Sequence, residues 1–339
     1  MYKVALNFSD GVTFFISVNP NEMLIDAALR HGLTIPVDCR EGVCASCKGK
    51  CEVGQYKLDY VDEDALTEKD LASGGILACQ MRVSSDCAVR FDFESSLCSS
   101  IGPEIIEAVV TKVEVLSEST AMLFVDASRD KGQLDFLPGQ YANLHVPDTN
   151  EWRSYSFACQ PNQNNHLQFL IRLLPDGVMS NYLRDKARTG DTVQLKAPLG
   201  AFYLHQVNRP LIMVAGGTGL AAFLGMLDGM ASNPEKVTQP VTLFYGVTQE
   251  DDLCEINRLG SYRKNIPGFN FKTIVMQPSS DWEGSEGVVT DLFEEHHFNG
   301  GDVDAYLCGP PPMVEAVKVW LEKLNMNNAA IYFEKFSAS

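Results

Sequence analysis

The chain has 339 residues, with 27 Lys plus Arg against 44 Asp plus Glu and a formal charge of −17 at pH 7. Domains of about 100–200 residues are typical, so this length excludes a single small binding module and predicts two or three domains. The acidic balance argues against nucleic-acid backbones and anionic membranes as partners, since both are bound through basic side chains.

The start, MYKVALNFSDG, lacks the basic segment and apolar run of a secretory signal, which predicts a cytoplasmic protein. Residues 4–8 and 12–16 read as a hairpin around Ser9-Asp10-Gly11. A helix is expected over 23–31: Met23, Leu24, Ala27 and Ala28 repeat at helical spacing, Asn21 is the expected cap and Gly32 the stop. The mixed charges of 62–70 read as solvated surface.

Ten cysteines without an export signal are expected to be thiols. Seven precede residue 100 (Cys39, Cys44, Cys47, Cys51, Cys79, Cys87 and Cys98), whereas Cys159, Cys254 and Cys308 are scattered, so the first hundred residues read as a unit with metal chemistry of its own. Cys39, Cys44 and Cys47 followed by Cys79 have the C-x4-C-x2-C…C spacing of plant-type 2Fe-2S ligation, with small residues that let backbone N–H groups point at sulfur. Structural zinc usually shows two C-x2-C pairs and only one is present. Spacing alone leaves Cys51 as a rival ligand and does not exclude Cys87.

The Ser, Gly and Pro of 97–104 mark a boundary. Short runs at 105–115, 122–125, 141–146, 154–158, 167–173 and 192–195, with one helix beginning near Met179, predict an antiparallel barrel. From 210 the rhythm becomes strand–helix alternation: strands at 211–215, 241–245, 271–275 and 305–307, helices at 220–230, 253–263 and 313–324. This predicts a parallel sheet with ligands at its carboxyl edge. The apolar stretch 211–227 is broken by Gly216, Gly217, Gly219 and Gly225, unlike a membrane span. The expected domains are 1–98, a linker at 99–104, 105–206 and 207–339.

Three motif groups carry further chemistry. Arg153-Ser154-Tyr155-Ser156 offers a guanidinium for a pyrophosphate, an aromatic face and hydroxyls for a ring edge, and Gly177-Val178-Met179-Ser180 opens a helix at which a phosphate can sit. Gly216-Gly217-Thr218-Gly219 follows a buried strand, although the acidic residue expected about 20 positions after a dinucleotide fingerprint is missing. Cys308-Gly309-Pro310-Pro311-Pro312-Met313 predicts a rigid, donor-free loop, and no general base adjoins Cys308 to make it a nucleophile. Glu250, Asp251 and Asp252 follow a strand where an adenosine ribose is expected, with no Lys or Arg between 241 and 255, which favours NADH over NADPH. His296 and His297, beside Glu294 and Glu295, read as surface residues.

PVDCREGVCASC and LACQ resemble the cluster loops of plant-type ferredoxin domains. That resemblance implies a β-grasp-like domain in which Cys39, Cys44, Cys47 and Cys79 hold the 2Fe-2S cluster. RSYS with GVMS resembles the FAD-binding barrel of the ferredoxin reductase family, which implies Arg153 and Ser180 on the pyrophosphate, Tyr155 and Ser156 at the isoalloxazine, Ser154, Gly177, Val178 and Met179 in the flavin site, and Ile171 and Arg172 alongside. The glycine loop resembles that family's GGTGxxP element, departing at Ala222. The resemblance further implies that Cys308, Gly309 and Pro310 approach the nicotinamide, that Phe336 covers the flavin, and that Ser156, Cys308 and Phe336 stand at the hydride-transfer site.

The order of the three regions resembles the reductase components of bacterial aromatic-ring dioxygenases, most closely the benzoate and toluate type. It implies transfer from NADH to FAD to the 2Fe-2S cluster to a Rieske-type oxygenase component that docks transiently. Reductases of diiron monooxygenases share this order, and a non-catalytic iron–sulfur redox sensor is the alternative from another class.

Overall fold

The computed structural model describes residues 1–37, 39–63, 65–98, 104–128, 134–326 and 328–336. Asp38, Asp64 and residues 99–103 of the expected linker lie outside the described residues. The chain divides into one compact unit of Met1–Glu104 with Leu199–Ala201 and a second of Ile105–Pro198 with Phe202–Ser339, so the expected flavin and nucleotide regions share a unit.

In the first unit, β1 (Tyr2–Asn7) and β2 (Thr13–Val18) form the expected hairpin, with Val4, Leu6, Ile16 and Val18 turned inward by the two-residue period of a strand. Helix α1 (Leu24–Arg30) buries Leu24, Ile25, Ala27 and Ala28. Its N-cap is Met23, with no side-chain bond. Asn21 does not cap it: that residue sits in the left-handed region at φ 63°, and its carbonyl accepts from Arg82. There follow β3 (Lys48–Val53), β4 (Tyr56–Leu58), α2 (Glu68–Ala72), β5 (Gly75–Leu77), β6 (Met81–Val83) and β7 (Cys87–Arg90). Within the charged stretch read as plain surface, α2 forms because Thr67 and Asp70 make a reciprocal capping box, and it buries no residue. The main sheet runs β2-β1-β7-β3-β5, with β7 parallel to β1, which is the β-grasp arrangement expected.

The second unit begins with β8 (Glu104–Ser117), β9 (Thr120–Asp126), β10 (Tyr141–His145), β11 (Trp152–Ser156), β12 (His166–Arg172) and β13 (Thr192–Leu199), in the order β11-β10-β13-β8-β9-β12. Phe157 bridges Phe169 and the Ala158 N–H donates to the Gln168 carbonyl at 2.8 Å, so the edges meet and the sheet closes into a barrel. Leu123, Val125, Phe157, Phe169, Ile171 and Leu195 belong to its core. Helix α3 (Val178–Asn181) is a single turn that continues into a π turn, Tyr182–Lys186.

The parallel sheet consists of β14 (Leu211–Gly216), β15 (Val241–Val247), β16 (Phe269–Val275), β17 (Asp304–Gly309) and β18 (Ala330–Lys335), ordered β16-β15-β14-β17-β18. Helices α4 (Leu220–Ser232) and α5 (Ile256–Asn265) pack with the apolar cluster on one face, and α6 (Pro311–Lys323) with that on the other. Strand order reverses between β14 and β17, so a crevice opens where their two loops leave the sheet. Gly225 lets α4 lie against the barrel: a Cβ there would stand 2.8 Å from the Cys159 carbonyl oxygen and 3.0 Å from that of Phe157.

Candidate cluster loop and hydride-transfer site

The four cysteines of the spacing motif come together as two pairs. All four are free thiols, with the Cys44 thiol donating a hydrogen bond to Cys39 and the Cys47 thiol one to Cys79. Arg40, Gly42 and Ala45 adopt positive φ values of 56°, 83° and 61°, curling the loop so that its N–H groups converge on sulfur. The Glu41 N–H donates to Cys39 Sγ at 3.3 Å, joined by those of Val43 and Cys44, while the Gly42 N–H and Gln80 Nε2 reach Cys79. Gly42 is required by close approach as well as by φ, since a Cβ there would lie 2.4 Å from the Tyr60 carbonyl oxygen.

These contacts decide the ionisation. The Cys47 thiol, against the opposition of burial, holds Cys79 down at about 6, and Cys47 is itself pushed up by that neighbour and by burial. Burial opposes ionisation of Cys39, yet the Cys44 thiol and the loop N–H groups leave it below its ordinary value. Two thiol pairs with converging donors fit two irons, each taking two thiolates, better than one tetrahedral zinc. Cys51 and Cys87 stand apart from this set. Cys51 Sγ contacts the Val53 carbonyl at 3.3 Å and Cys87 Sγ that of Ser85 at 3.4 Å, and burial pushes Cys51 up to about 12.

In β11 the strand period sets Arg153 and Tyr155 on one face and Ser154 and Ser156 on the other. Arg153 pairs with Glu151 and donates to the Trp152 carbonyl; Ser154 Oγ donates to Asn143 Oδ1 at 2.6 Å. Tyr155 packs on the barrel core, where burial raises its phenol pKa. In the Gly177-Val178-Met179-Ser180 segment, Ser180 is buried and its Oγ accepts from the Leu174 N–H at 2.8 Å, leaving its own O–H to donate. Arg184 donates to the Leu173 and Leu174 carbonyls, latching the loop that precedes the segment.

The glycine loop and the cysteine–proline loop interlock across the crevice. A Cβ on Gly219 would meet the Cys308 carbonyl oxygen at 2.2 Å, and one on Gly216 would meet Pro310 Cδ at 2.7 Å. The Gly217–Gly219 turn, which carries Thr218, also packs against β12, the strand of Ile171 and Arg172. Pro311 and Pro312 are not loop residues as expected. They form the first turn of α6, where a missing N–H costs no helical bond. Beside β17, strand β18 pairs Glu334 with Cys308, and the Phe336 N–H donates to the Gly309 carbonyl at 3.0 Å.

Glu334 is the residue that sequence reasoning missed. Ser156 Oγ donates to Glu334 Oε2 at 3.2 Å, and Cys308 Sγ lies 3.9 Å from the same oxygen, so barrel and parallel sheet meet on one carboxylate. Complete burial, aided by Glu334, raises the Cys308 pKa well above its ordinary value and keeps the thiol protonated. Only the position of Glu334 opposite Cys308 in the β17–β18 register singles it out.

The acidic turn differs from expectation in one carboxylate. Glu250 accepts from the Ser279 N–H and Oγ at 3.0 and 2.8 Å, but Asp252 turns inward, where Ser117, Ser119 and Arg172 of the barrel donate to it. Arg172 is therefore engaged in an ion pair of 2.8 Å. Glu294, His296 and His297 present ligand atoms within 4.8 Å of one another, but Lys272 pairs with Glu294 at 2.9 Å and His297 Nδ1 accepts the Glu294 N–H, which suits a capped surface turn.

Comparison with known proteins finds three family matches along the chain. Residues 7–84 match the 2Fe-2S iron-sulfur cluster binding domain, 107–203 the oxidoreductase FAD-binding domain and 213–319 the oxidoreductase NAD-binding domain. Fold and site thus define an NADH-dependent iron–sulfur flavoprotein oxidoreductase that carries electrons from NADH through FAD to a 2Fe-2S cluster. The chain is 54% identical to the anthranilate 1,2-dioxygenase electron transfer component of Acinetobacter baylyi, covering 100% of this chain and 98% of the relative. It is 45% identical to the toluate 1,2-dioxygenase electron transfer component of Pseudomonas putida, covering 100% and 99%. Among solved structures, a cytochrome P450 reductase of Amycolatopsis superposes with a TM-score of 0.71 at 29% identity, over 100% of this chain and 99% of that one. The chain belongs to the family of dioxygenase electron transfer components. Among the described residues no helix is long and apolar enough to cross a membrane.

Proposed function

We propose that this protein supplies electrons to the Rieske-type oxygenase component of a dioxygenase acting on a benzoate-type aromatic acid, in the cytoplasm, with domains at 1–98, 105–206 and 207–339 joined through 99–104. The observation that carries the chemistry is the meeting of Ser156 of the barrel with Cys308 and Glu334 of the parallel sheet on one carboxylate oxygen. The choice of partner is supported by relatives whose names specify anthranilate, toluate and 2-halobenzoate, all aromatic carboxylates, at 43–54% identity. Propane 2-monooxygenase reductase components stand lower, at 29–31%.

A bound flavin accepts electrons in pairs and a 2Fe-2S cluster accepts them singly, which is the chemistry these groups supply. The chain's residues bind and orient. Arg153 and the Ser180 O–H would hold the flavin pyrophosphate, with Gly177, Val178 and Met179 beside them, Ser154 on the opposite face of β11 completing the site, and Ile171 and Arg172 flanking it. Tyr155 would lie beside the ring system, and Ser156, its hydroxyl aimed by Glu334, would meet the ring edge. Gly216, Gly217, Thr218 and Gly219 would admit the nucleotide phosphates, Cys308, Gly309 and Pro310 would bound the nicotinamide pocket, and Phe336, tied to the Gly309 carbonyl through its N–H, would cover the flavin face. Glu250 accepts hydrogen bonds from the adenosine ribose and repels a 2′-phosphate. Cys39, Cys44, Cys47 and Cys79 hold the cluster.

The test is NADH-driven turnover with purified oxygenases. A benzoate-type dioxygenase is expected to turn over with this protein, with NADH preferred to NADPH; turnover with a diiron hydroxylase alone would reject the proposed partner, and equal use of NADPH the proposed role of Glu250.

A further inference from the structure

The turn that carries Glu250 is tied at both ends, and one tie reaches into the flavin barrel. Glu250–Asp252 forms a single 3-10 turn after β15. On its outer side, Ser279 holds the Glu250 carboxylate through its N–H and hydroxyl, and the Ser279 loop is itself sewn to the end of β15 by Met276 N–H to Val247 and Gln277 N–H to Thr248, both at 2.9 Å. On its inner side, the Asp252 carboxylate is 5% exposed and accepts from Ser117, from Ser119 and from Arg172. Ser117 ends β8, Arg172 ends β12, and Ser119 lies in the hairpin between β8 and β9, so these three donors all belong to the barrel. Tyr245, fully buried in β15, donates to the Asp252 carbonyl at 3.0 Å and fixes the backbone of the same residue.

A buried carboxylate whose three side-chain donors all come from another layer holds its turn at a set place relative to that layer. We infer that Asp252 is a positioning residue for the dinucleotide: it locks the Glu250 turn to the flavin barrel, so that a nucleotide read at its ribose is delivered in register with the flavin. This rests on the proposed ribose contact of Glu250. The side chain itself faces the barrel hairpin, so its effect passes through the turn and not through contact with NADH.

The test compares steady-state reduction of an artificial acceptor by NADH and NADPH in the FAD- and cluster-loaded protein and in its Asp252→Asn, Ser117→Ala, Ser119→Ala and Glu250→Gln variants, with flavin content and Tm measured for each. Asp252→Asn is expected to raise KM for NADH about tenfold and to narrow the preference over NADPH, with flavin content retained. Ser117→Ala and Ser119→Ala, placed on the barrel and remote from the ribose, are expected to shift KM in the same direction by smaller factors. If Asp252→Asn lowers Tm but leaves KM and the NADH preference untouched while Glu250→Gln changes them, the positioning role is overturned and the ribose reading stands. If Glu250→Gln changes neither, the ribose reading itself falls, and the inference with it. Should Asp252→Asn fail to fold, the two serine variants carry the test, and unchanged KM in both would overturn it.

Discussion

Cys308 lies where a reactive thiol would be placed, yet its surroundings suppress that reactivity. Full burial and the neighbouring Glu334 oxygen keep it protonated, and a nucleophile needs the thiolate. Cys308→Ser is therefore expected to reduce the flavin with NADH at a rate within about tenfold of the wild type in stopped flow, whereas loss of several orders of magnitude would mark a covalent role. Asp252 gives a pH signature of a different kind. Burial opposes its ionisation, but Ser119, Arg172 and Ser117 hold its pKa below the ordinary 3.8. The depressed value means that its contribution to stability is complete above the unfolded pKa and is lost as pH falls through the folded one. Wild-type Tm is expected to fall more steeply than that of Asp252→Asn below about pH 4; parallel acid limbs would contradict this. At this scale spacing in the sequence brings Cys39, Cys44, Cys47 and Cys79 into view but leaves Cys51 and Cys87 open, because separation from the set is a matter of folding. Glu334 is not legible, because its importance arises from strand register, and the inward turn of Asp252 depends on barrel donors 80, 133 and 135 residues away.

Among the elements, strand–turn–helix at 211–232 was readable from an apolar run ending in glycines, and its glycines have a second use that pattern does not reveal. Gly219 lets the loop of β14 touch the carbonyl of Cys308 at the end of β17. Gly219→Ala forces the two loops apart, and displacement of about 1 Å at a reacting centre costs up to about 10²-fold in rate. The expected result is kcat/KM for NADH at least about tenfold lower with flavin and cluster content unchanged; wild-type kinetics would contradict the interlock. Strand β18 is not visible in the sequence because AIYFEK lacks alternation, in keeping with the half-burial of all six residues. Helix α2 escaped because a capping box, and no apolar stripe, defines it. The prolines after Gly309 suggest a loop in the sequence, yet Pro311 and Pro312 open a helix, because the residue type that ends helices is also tolerated in their first turn.

At the scale of the molecule, the order of cysteine loop, flavin motifs and nucleotide loops was visible in the sequence, since each depends on local residue types. The sharing of one compact unit by barrel and parallel sheet was not, because it depends on tertiary contacts such as that of Gly225 with Cys159. The charge of −17 favours a basic docking face on the oxygenase. Electron delivery to the oxygenase is expected to slow as salt rises from about 0.05 to 0.5 M, while NADH reduction of the flavin changes little; salt-independent delivery would contradict electrostatic docking. The central claim, that paired electrons from NADH leave one at a time through the thiol-held cluster, is tested most directly by anaerobic addition of NADH to the loaded protein followed by electron paramagnetic resonance. A reduced-cluster signal of about one spin per chain is expected. Bleaching of the flavin with no cluster signal would contradict it.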